Sequence, residues 1–196
     1  MLVNFAPCRR LHMSLMLVAI LFGGASAHAR EAIKPAPQPK VNAADVAQRI
    51  HKLVNEERKK HKLPALAWDS ALAHIAADHS RDMARRNYVG HDSPEGYSFS
   101  DRYRQAGYNC EVRIGNTIHT GAENVALARL YNSLTKRNGI AYYDWNSPDA
   151  IARKTVQGWM QSQGHRENIL TPHWRRQGIA VEIRSENKVL ITQNFC

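Results

Sequence analysis

The chain has 196 residues, of which 43% are hydrophobic and 22% charged, and its formal net charge is +10. This length predicts one domain with short appendages, large enough to bury a hydrophobic core. The ordinary composition excludes a disordered chain, a collagen-like chain and a multi-span membrane protein. Three cysteines are too few for a small scaffold built on disulfides.

The N-terminal segment 1–29 has the organisation of a secretory signal peptide. Two arginines precede the apolar run 13–22, and small residues follow it, with cleavage candidates after Ala27 and Ala29. The apolar run is too short to span a membrane comfortably, and an uncleaved N-terminal anchor is the alternative. We therefore expect an exported protein, secreted or periplasmic, with no stable membrane span after cleavage.

Removal of this segment changes the cysteine count from odd to even. Cys8 lies within it, so the mature chain retains Cys110 and Cys196. Lys plus Arg also falls from 27 to 25 against 17 Asp plus Glu, which lowers the net charge to +8. An even pair of cysteines in an oxidising compartment predicts a disulfide. The alternative is a catalytic thiol at Cys110, which pairing would remove.

The folded domain is expected to cover 45–196, after a linker at 30–44 in which three prolines alternate with other residues. Apolar spacing and caps predict helices between Asp45 and Lys62, from Asp69 or Ser70 to Arg86, over Ser100–Ala106, and from Pro148 to near Gly164.

Strand patterns occupy other parts of the domain. They cover Asn124–Leu130, Gly178–Arg184 and Lys188–Phe195, and the last two predict a hairpin. The stretch 131–147 has no clean period, and we interpret it as an irregular insertion with aromatic anchors. Helices followed by a terminal hairpin predict an α+β fold with an antiparallel sheet.

Three residues stand at positions that suit metal binding or proton transfer. His91 follows the second predicted helix, Glu123 enters a predicted strand, and His165 follows the fourth predicted helix. Histidines at the ends of elements can bind metals or transfer protons, because imidazole titrates near neutral pH. The sequence has no H-E-x-x-H, C-x-x-C, G-x-S-x-G or P-loop motif. A site must therefore assemble from residues that are distant in sequence, and spacing alone does not show how.

Six motifs occur in an order that resembles the CAP superfamily, which comprises cysteine-rich secretory proteins, antigen 5 and pathogenesis-related proteins. The form most similar to this chain is the bacterial SCP-like extracellular variant, and the resemblance covers 45–196. It implies a three-layer α-β-α sandwich around a central, mainly antiparallel sheet. The motifs are VNEER (54–58), LAWD (66–69), HDSP (91–94), GAENVA (121–126), GWMQSQGHRENIL (158–170) and GIAV (178–181).

The resemblance also implies a cleft lined by two histidines and two glutamates. His91 matches the first histidine, Glu123 the glutamate of the G-E-N motif, and His165 the second histidine. The position of the second glutamate, three residues after the helix tryptophan, is Ser162 here, so the full set of four is absent. The candidate substitutes are Glu95 and Glu167. In the family the two histidines hold a divalent metal, often zinc, and here we expect it to be weakly bound by His91 and His165.

The function that the resemblance implies is a binding module at the cell envelope or outside the cell. Its cleft is expected to take a divalent metal or an unknown ligand, such as a lipid or a cell-wall component. The alternative is a metal-assisted hydrolase of peptide, glycan or ester bonds, with Glu123 as general base beside His91 and His165. In a third interpretation, the cluster is a polar core that shapes a binding cleft. We expect a monomer and no nucleic-acid partner.

Three further residues receive weaker predictions. His79 is expected to make a structural hydrogen bond rather than to bind a metal. His119 precedes Glu123 by four residues and is a weaker candidate for the cleft. Ser162 as a nucleophile lacks a base placed beside it by the sequence.

Overall fold

The first described helix begins close to the end of the predicted linker. The structure, a computed structural model, describes residues 34–196, and Pro35–Cys196 form one unit. The predicted signal peptide at 1–29 and the start of the predicted linker lie outside the described residues. From 34 to 42 the chain has no regular secondary structure, and the first helix starts at Ala43, two residues inside the range predicted as linker.

The domain contains five helices and eight strands within the described residues. Asp69 and Ser147 cap the second and fourth helices with their side chains, and Pro148 occupies the first turn of the fourth, as their positions predicted. The elements in chain order are α1 (Ala43–Lys60), β1 (Ala67–Trp68), α2 (Ser70–Arg86), α3 (Phe99–Gln105), β2 (Val112–Ile114), β3 (Thr117–His119), β4 (Ala122–Arg129), β5 (Tyr131–Arg137), β6 (Ile140–Trp145), α4 (Pro148–Gln161), α5 (Gln163–Leu170), β7 (Arg176–Ile183) and β8 (Lys188–Phe195).

A four-stranded sheet in the order β1-β7-β8-β4 forms the middle layer. β8 pairs antiparallel with both β7 and β4, and β1 adds in parallel to β7. The two faces of β8 alternate: Val189 and Ile191 pack in the core with α1 and α4, while Leu190 packs with Met83 of α2. The predicted α+β fold, an α-β-α sandwich with a mainly antiparallel sheet, is confirmed, as is the hairpin of β7 and β8.

The stretch 131–147 forms a β-hairpin, so the predicted irregular insertion is wrong. Its strands β5 and β6 are joined by Asn138 and Gly139, which have φ angles of +49° and +77°. Asn-Gly is the favoured sequence for a two-residue hairpin turn, because both residues tolerate positive φ. Tyr143 stacks on Trp145 at 4.5 Å between ring centroids. The Asn138-Gly139 sequence is therefore what indicates the hairpin, since apolar and polar residues alternate only weakly along its strands.

The helix predicted to run from Pro148 to near Gly164 is interrupted at Ser162. Ser162 has extended backbone angles (φ −89°, ψ 125°), so α4 ends at Gln161 and α5 begins at Gln163. His165 consequently lies in the first turn of α5 and not in a loop after the fourth helix. After the break, α5 contacts both α4 and β4.

A disulfide joins Cys110 to Cys196, as expected for the mature chain, with the two Cα atoms 5.7 Å apart. Both cysteines are buried, in a cluster with Leu72, Ile75 and Tyr103. The bond connects the segment before β2 to the residue after β8. The thiol needed for a catalytic role of Cys110 is thus consumed.

None of the helices in residues 34–196 combines the length and the apolar character that crossing a membrane requires.

Candidate functional site

The centre of the candidate site is the buried carboxylate of Glu123 on β4. The Glu123 side chain is completely buried, and its Oε1 atom accepts a hydrogen bond from His91 Nδ1 at 3.0 Å. Its Oε2 atom accepts from Arg102 Nη2 on α3 at 2.6 Å. A buried carboxylate is tolerated only when it is paired and hydrogen-bonded. Arg102 and His91 together meet that requirement.

The loop that carries His91 is held from two sides. His79 Nε2 on α2 donates to the carbonyl of Gly90 at 2.9 Å, which is the structural hydrogen bond expected for this histidine. Arg102 donates to the carbonyls of His91 and Tyr97, each at 3.0 Å. The side chain of His91 is half exposed, so one edge of its ring faces solvent while its Nδ1 atom faces Glu123.

The N-terminal turn of α5 brings His165 to the same place. Asn124 Nδ2 donates to the carbonyl of His165 at 3.2 Å. Asn168 Nδ2 donates to the carbonyl of Glu123 and to Asn124 Oδ1, both at 3.0 Å. These amides fasten α5 to β4, and the ring centroids of His91 and His165 are 6.0 Å apart. The structure therefore brings His91, Glu123 and His165 together.

The imidazole groups differ in how readily they take a proton. The hydrogen bond to Glu123 raises the pKa of His91, against the opposing effect of burial. Burial, followed by the charge of nearby His91, lowers the pKa of His165. Burial is also the largest influence on His79 and lowers its pKa. Both of these shifts favour the neutral form of the ring.

The donor set fits an open divalent metal site with two protein ligands. Within residues 34–196 no group of three or more His, Cys, Asp or Glu side chains is arranged to hold a metal ion. The two histidines are nevertheless close: zinc–nitrogen distances of about 2.1 Å require ring centres roughly 5 to 6.5 Å apart. Glu123 occupies Nδ1 of His91 and leaves its Nε2 available, a common arrangement around metal-binding histidines.

The remaining predicted residues lie away from the two rings or at the margin of the site. Glu95 pairs with Arg86, and Glu167 accepts from Gln163 Nε2 at 2.9 Å, so neither contact supplies the missing second glutamate. His119 lies beside Trp174, with ring centroids 6.4 Å apart. Ser162 lies between α4 and α5, in a groove that His165 also lines.

Sequence reasoning missed three residues that position the site. In the sequence, Arg102 is one of several charged residues on a short predicted helix, and no local pattern links it to Glu123. Asn124 lies in the GAENVA motif and Asn168 in the GWMQSQGHRENIL motif, and neither motif by itself indicates a role for its asparagine. The one available signal was their polarity, since Asn124 stands in a strand otherwise built for burial and is itself fully buried.

Comparisons with known proteins agree with this architecture. The model of the cysteine-rich secretory protein family, CAP, matches residues 51–195. The uncharacterized membrane protein YlbC of Bacillus subtilis (strain 168) is 31% identical over 148 residues, which are 76% of this chain and 33% of that protein. The chain thus spans about a third of that relative.

Two solved structures are similar in fold. An extracellular protein containing a SCP domain from Bacillus anthracis str. Ames is 30% identical, with a TM-score of 0.56 over 78% of this chain and 40% of that chain. An outer surface protein from Borrelia burgdorferi is 15% identical, with a TM-score of 0.57 over 81% and 97% of the two chains. The second likeness concerns the fold alone. Because the family model covers most of the chain, the protein belongs to the CAP family of cysteine-rich secretory proteins.

Proposed function

We propose that this CAP domain is a binding module whose two histidines hold a divalent metal such as zinc. The observation that carries the proposal is the 6.0 Å separation of the His91 and His165 rings, with Glu123 hydrogen-bonded behind His91. Both imidazoles bind a metal as neutral rings, and Glu123 orients one of them. A bound ion would supply a Lewis-acidic centre with open positions for water or a ligand.

The affinity for the metal should be modest. Two protein ligands are fewer than the usual three of a catalytic zinc site. The raised pKa of His91 adds competition from protons near neutral pH. We therefore propose that the metal is held weakly and exchanges readily, at a site that presents the ion to a ligand.

The hydrolase alternative receives less support from the geometry. A general base needs a carboxylate oxygen within reach of a water molecule. Both oxygens of Glu123 already accept hydrogen bonds, and its side chain has no exposed surface. Its contacts support orientation of His91 rather than proton transfer to and from a substrate.

Action outside the cytoplasm is part of the same proposal. It rests on the signal-peptide pattern at 1–29 and on the Cys110–Cys196 disulfide, which persists in oxidising compartments. One relative is described as extracellular and another as a membrane protein. We propose that this domain is secreted or periplasmic, with a lipid or a cell-wall component as the envelope ligand of the cleft.

The test is a zinc titration by calorimetry on the purified exported protein. We expect one ion per chain in the wild type, and affinity reduced at least about tenfold by His91→Ala and by His165→Ala. His74→Ala is the matched control, because His74 lies on α2 with an exposed side chain. Unchanged unfolding temperatures would show that the variants are folded.

Equal binding by all four proteins, or no binding by the wild type, would contradict the metal site. A screen of the zinc-loaded protein against peptide, glycan and ester substrates separates the two functions. Hydrolysis that disappears in Glu123→Gln while zinc still binds would favour the enzyme over the binding module.

A further inference from the structure

A groove of about 480 Å³ runs between the outer edge of β4 and helix α4. We call it the β4 groove. Its floor is β4 from residue 125 to 129, and its wall is the α4 face that carries Thr155, Gly158 and Trp159. Lys154 lies at one end and His165 at the other, so the groove leads to the candidate metal site. Its volume is typical of a ligand pocket.

The floor of the β4 groove is a sheet edge. Among residues 34–196, β4 is the last strand of its sheet, and β8 is the one strand that pairs with it. The carbonyl groups of Glu123, Val125 and Arg129 point away from β8. Each of them accepts a hydrogen bond from a side chain outside the sheet, at 3.0 to 3.2 Å. Leu127 shares their orientation by the alternation of an antiparallel strand. No side chain among the described residues covers its carbonyl in this way, and Leu127 is 44% exposed.

The end of the groove at Lys154 carries a positioned positive charge. Lys154 Nζ donates to Asn132 Oδ1 at 2.7 Å and to Asn146 Oδ1 at 2.9 Å. Asn146 is buried and donates in turn to the carbonyl of Arg129, so the ammonium group is held by a fixed partner. The amide partners are neutral, and no carboxylate lines the groove among the described residues. The charge of Lys154 therefore complements an anion.

Gly158 keeps the wall of the groove open. A glycine inside a helix destabilises it by about 0.5 to 1 kcal/mol relative to alanine. Close packing does not require one here, since a Cβ atom at Gly158 would meet nothing within 4 Å. From Lys154 to Ser162 the helix rises about 12 Å. That length accommodates about four residues of an extended chain.

We propose that the β4 groove binds an acidic peptide in extended conformation. The peptide backbone adds to the edge of β4 at Leu127, and a carboxylate of the peptide pairs with Lys154. Backbone hydrogen bonds to a sheet edge favour a peptide over a fatty acid, which offers a carboxylate but no backbone groups. Leu127, Lys154 and Gly158 are not metal ligands, so this proposal and the metal proposal can fail separately.

The test is binding of the exported protein to an array of labelled pentapeptides that end in glutamate. A matched array ends in glutamine, and the C-terminal carboxyl group of every peptide in both arrays is amidated. We expect glutamate-ending members to bind at least about tenfold more tightly than their glutamine counterparts, because only they carry the side-chain anion for Lys154. Lys154→Met and Gly158→Leu should each weaken binding at least about tenfold, the first by loss of charge and the second by filling the groove.

Two matched variants test the location. Gln157→Leu adds the same side chain at the neighbouring, exposed position of α4, and Lys59→Met removes an exposed lysine from α1. Both should bind as the wild type does. The proposal is overturned if no peptide binds, if Gly158→Leu binds like the wild type, or if backbone N-methylation of the peptide leaves its affinity unchanged. Binding of palmitate at the groove without any peptide binding would assign it to a lipid instead.

Discussion

At the scale of single residues, Glu123 and Arg102 depend on each other. The Glu123 side chain is fully buried, and that of Arg102 is 12% exposed. Loss of one partner leaves the other charge unpaired and with little access to solvent. In a buried pair this destabilises the folded protein by about 3 to 5 kcal/mol. We expect Glu123→Ala to lower the free energy of unfolding by this amount, measured by urea denaturation.

The control for this prediction is Glu56→Ala, because Glu56 is exposed on α1. Its effect should stay within about 0.5 kcal/mol. In the double variant Glu123→Ala with Arg102→Met, the combined effect should be smaller than the sum of the single effects, since the two charges share one interaction. A simple sum would show that the pair is not energetically coupled.

These contacts also show what the sequence could predict about the site. The motifs identified His91, Glu123 and His165, because each stands in a short, recognisable run of residues. Arg102 has no such run, and it reaches Glu123 only because α3 and β4 meet in three dimensions. A pattern of period 3.6 places a residue on a helix face, but it does not name the partner across the interface.

At the scale of elements, β7 lies unusually close to α2 at Gly178. A Cβ atom at this position would lie 2.0 Å from the backbone nitrogen of Ala73 and 2.3 Å from the carbonyl carbon of Leu72. Backbone atoms cannot move aside as a flexible side chain can, so Gly178→Ala must separate the strand from the helix. We expect a loss of about 3 kcal/mol or more in the free energy of unfolding.

Gly158→Ala provides the matched comparison on α4. It makes the same chemical change where a Cβ atom meets open space. We expect it to raise the free energy of unfolding by about 0.5 to 1 kcal/mol, through the higher helix propensity of alanine. Equal effects at the two glycines, measured by the same urea denaturation, would contradict the close approach of β7 and α2.

The disulfide ties the end of β8 to the segment before β2. Its cysteines are separated by 86 positions, and a loop of this length stabilises the folded state by about 4 to 5 kcal/mol in the chain-entropy account. We expect the double variant Cys110→Ala, Cys196→Ala to lose stability of this order in urea denaturation. Reduction should destabilise the wild type similarly and leave the double variant unchanged. A reductant effect on both proteins would assign the loss to another cause.

Most elements followed from local sequence, and the exceptions have physical reasons. The caps Asp69 and Ser147 marked helix starts because their side chains bond the first free backbone amides. The break at Ser162 has no such mark, since its side chain makes no capping hydrogen bond. The hairpin of β5 and β6 carries its signal in the Asn138-Gly139 turn rather than in its periodicity.

At the scale of the whole molecule, a chain of side-chain amides crosses the sandwich. Asn168 donates to Asn124, Asn124 to Gln193, Gln193 to Gln177, and Gln177 to His51 Nδ1, with distances of 2.6 to 3.1 Å. All the donors therefore face the same way, from α5 through β4, β8 and β7 to α1. An amide nitrogen can only donate, so His51 must accept at Nδ1 and the ring must be neutral.

This requirement makes stability depend on pH through His51. Burial lowers the pKa of His51 in the folded protein, whereas the unfolded chain takes the proton at a pKa of about 6.5. As pH falls from about 7 to 5, the unfolded state therefore binds the proton first, and this group removes at most about 2 kcal/mol from the free energy of unfolding.

We expect His51→Asn to show a shallower loss than the wild type in urea denaturation across this range, whatever its stability at pH 7. The other histidines are present in both proteins, so their contributions cancel in the difference between slopes. His74→Asn, at an exposed position on α2, should keep the wild-type slope. If His51→Asn and the wild type lose stability in parallel, the proton is not excluded from His51, and the amide chain does not require a neutral ring.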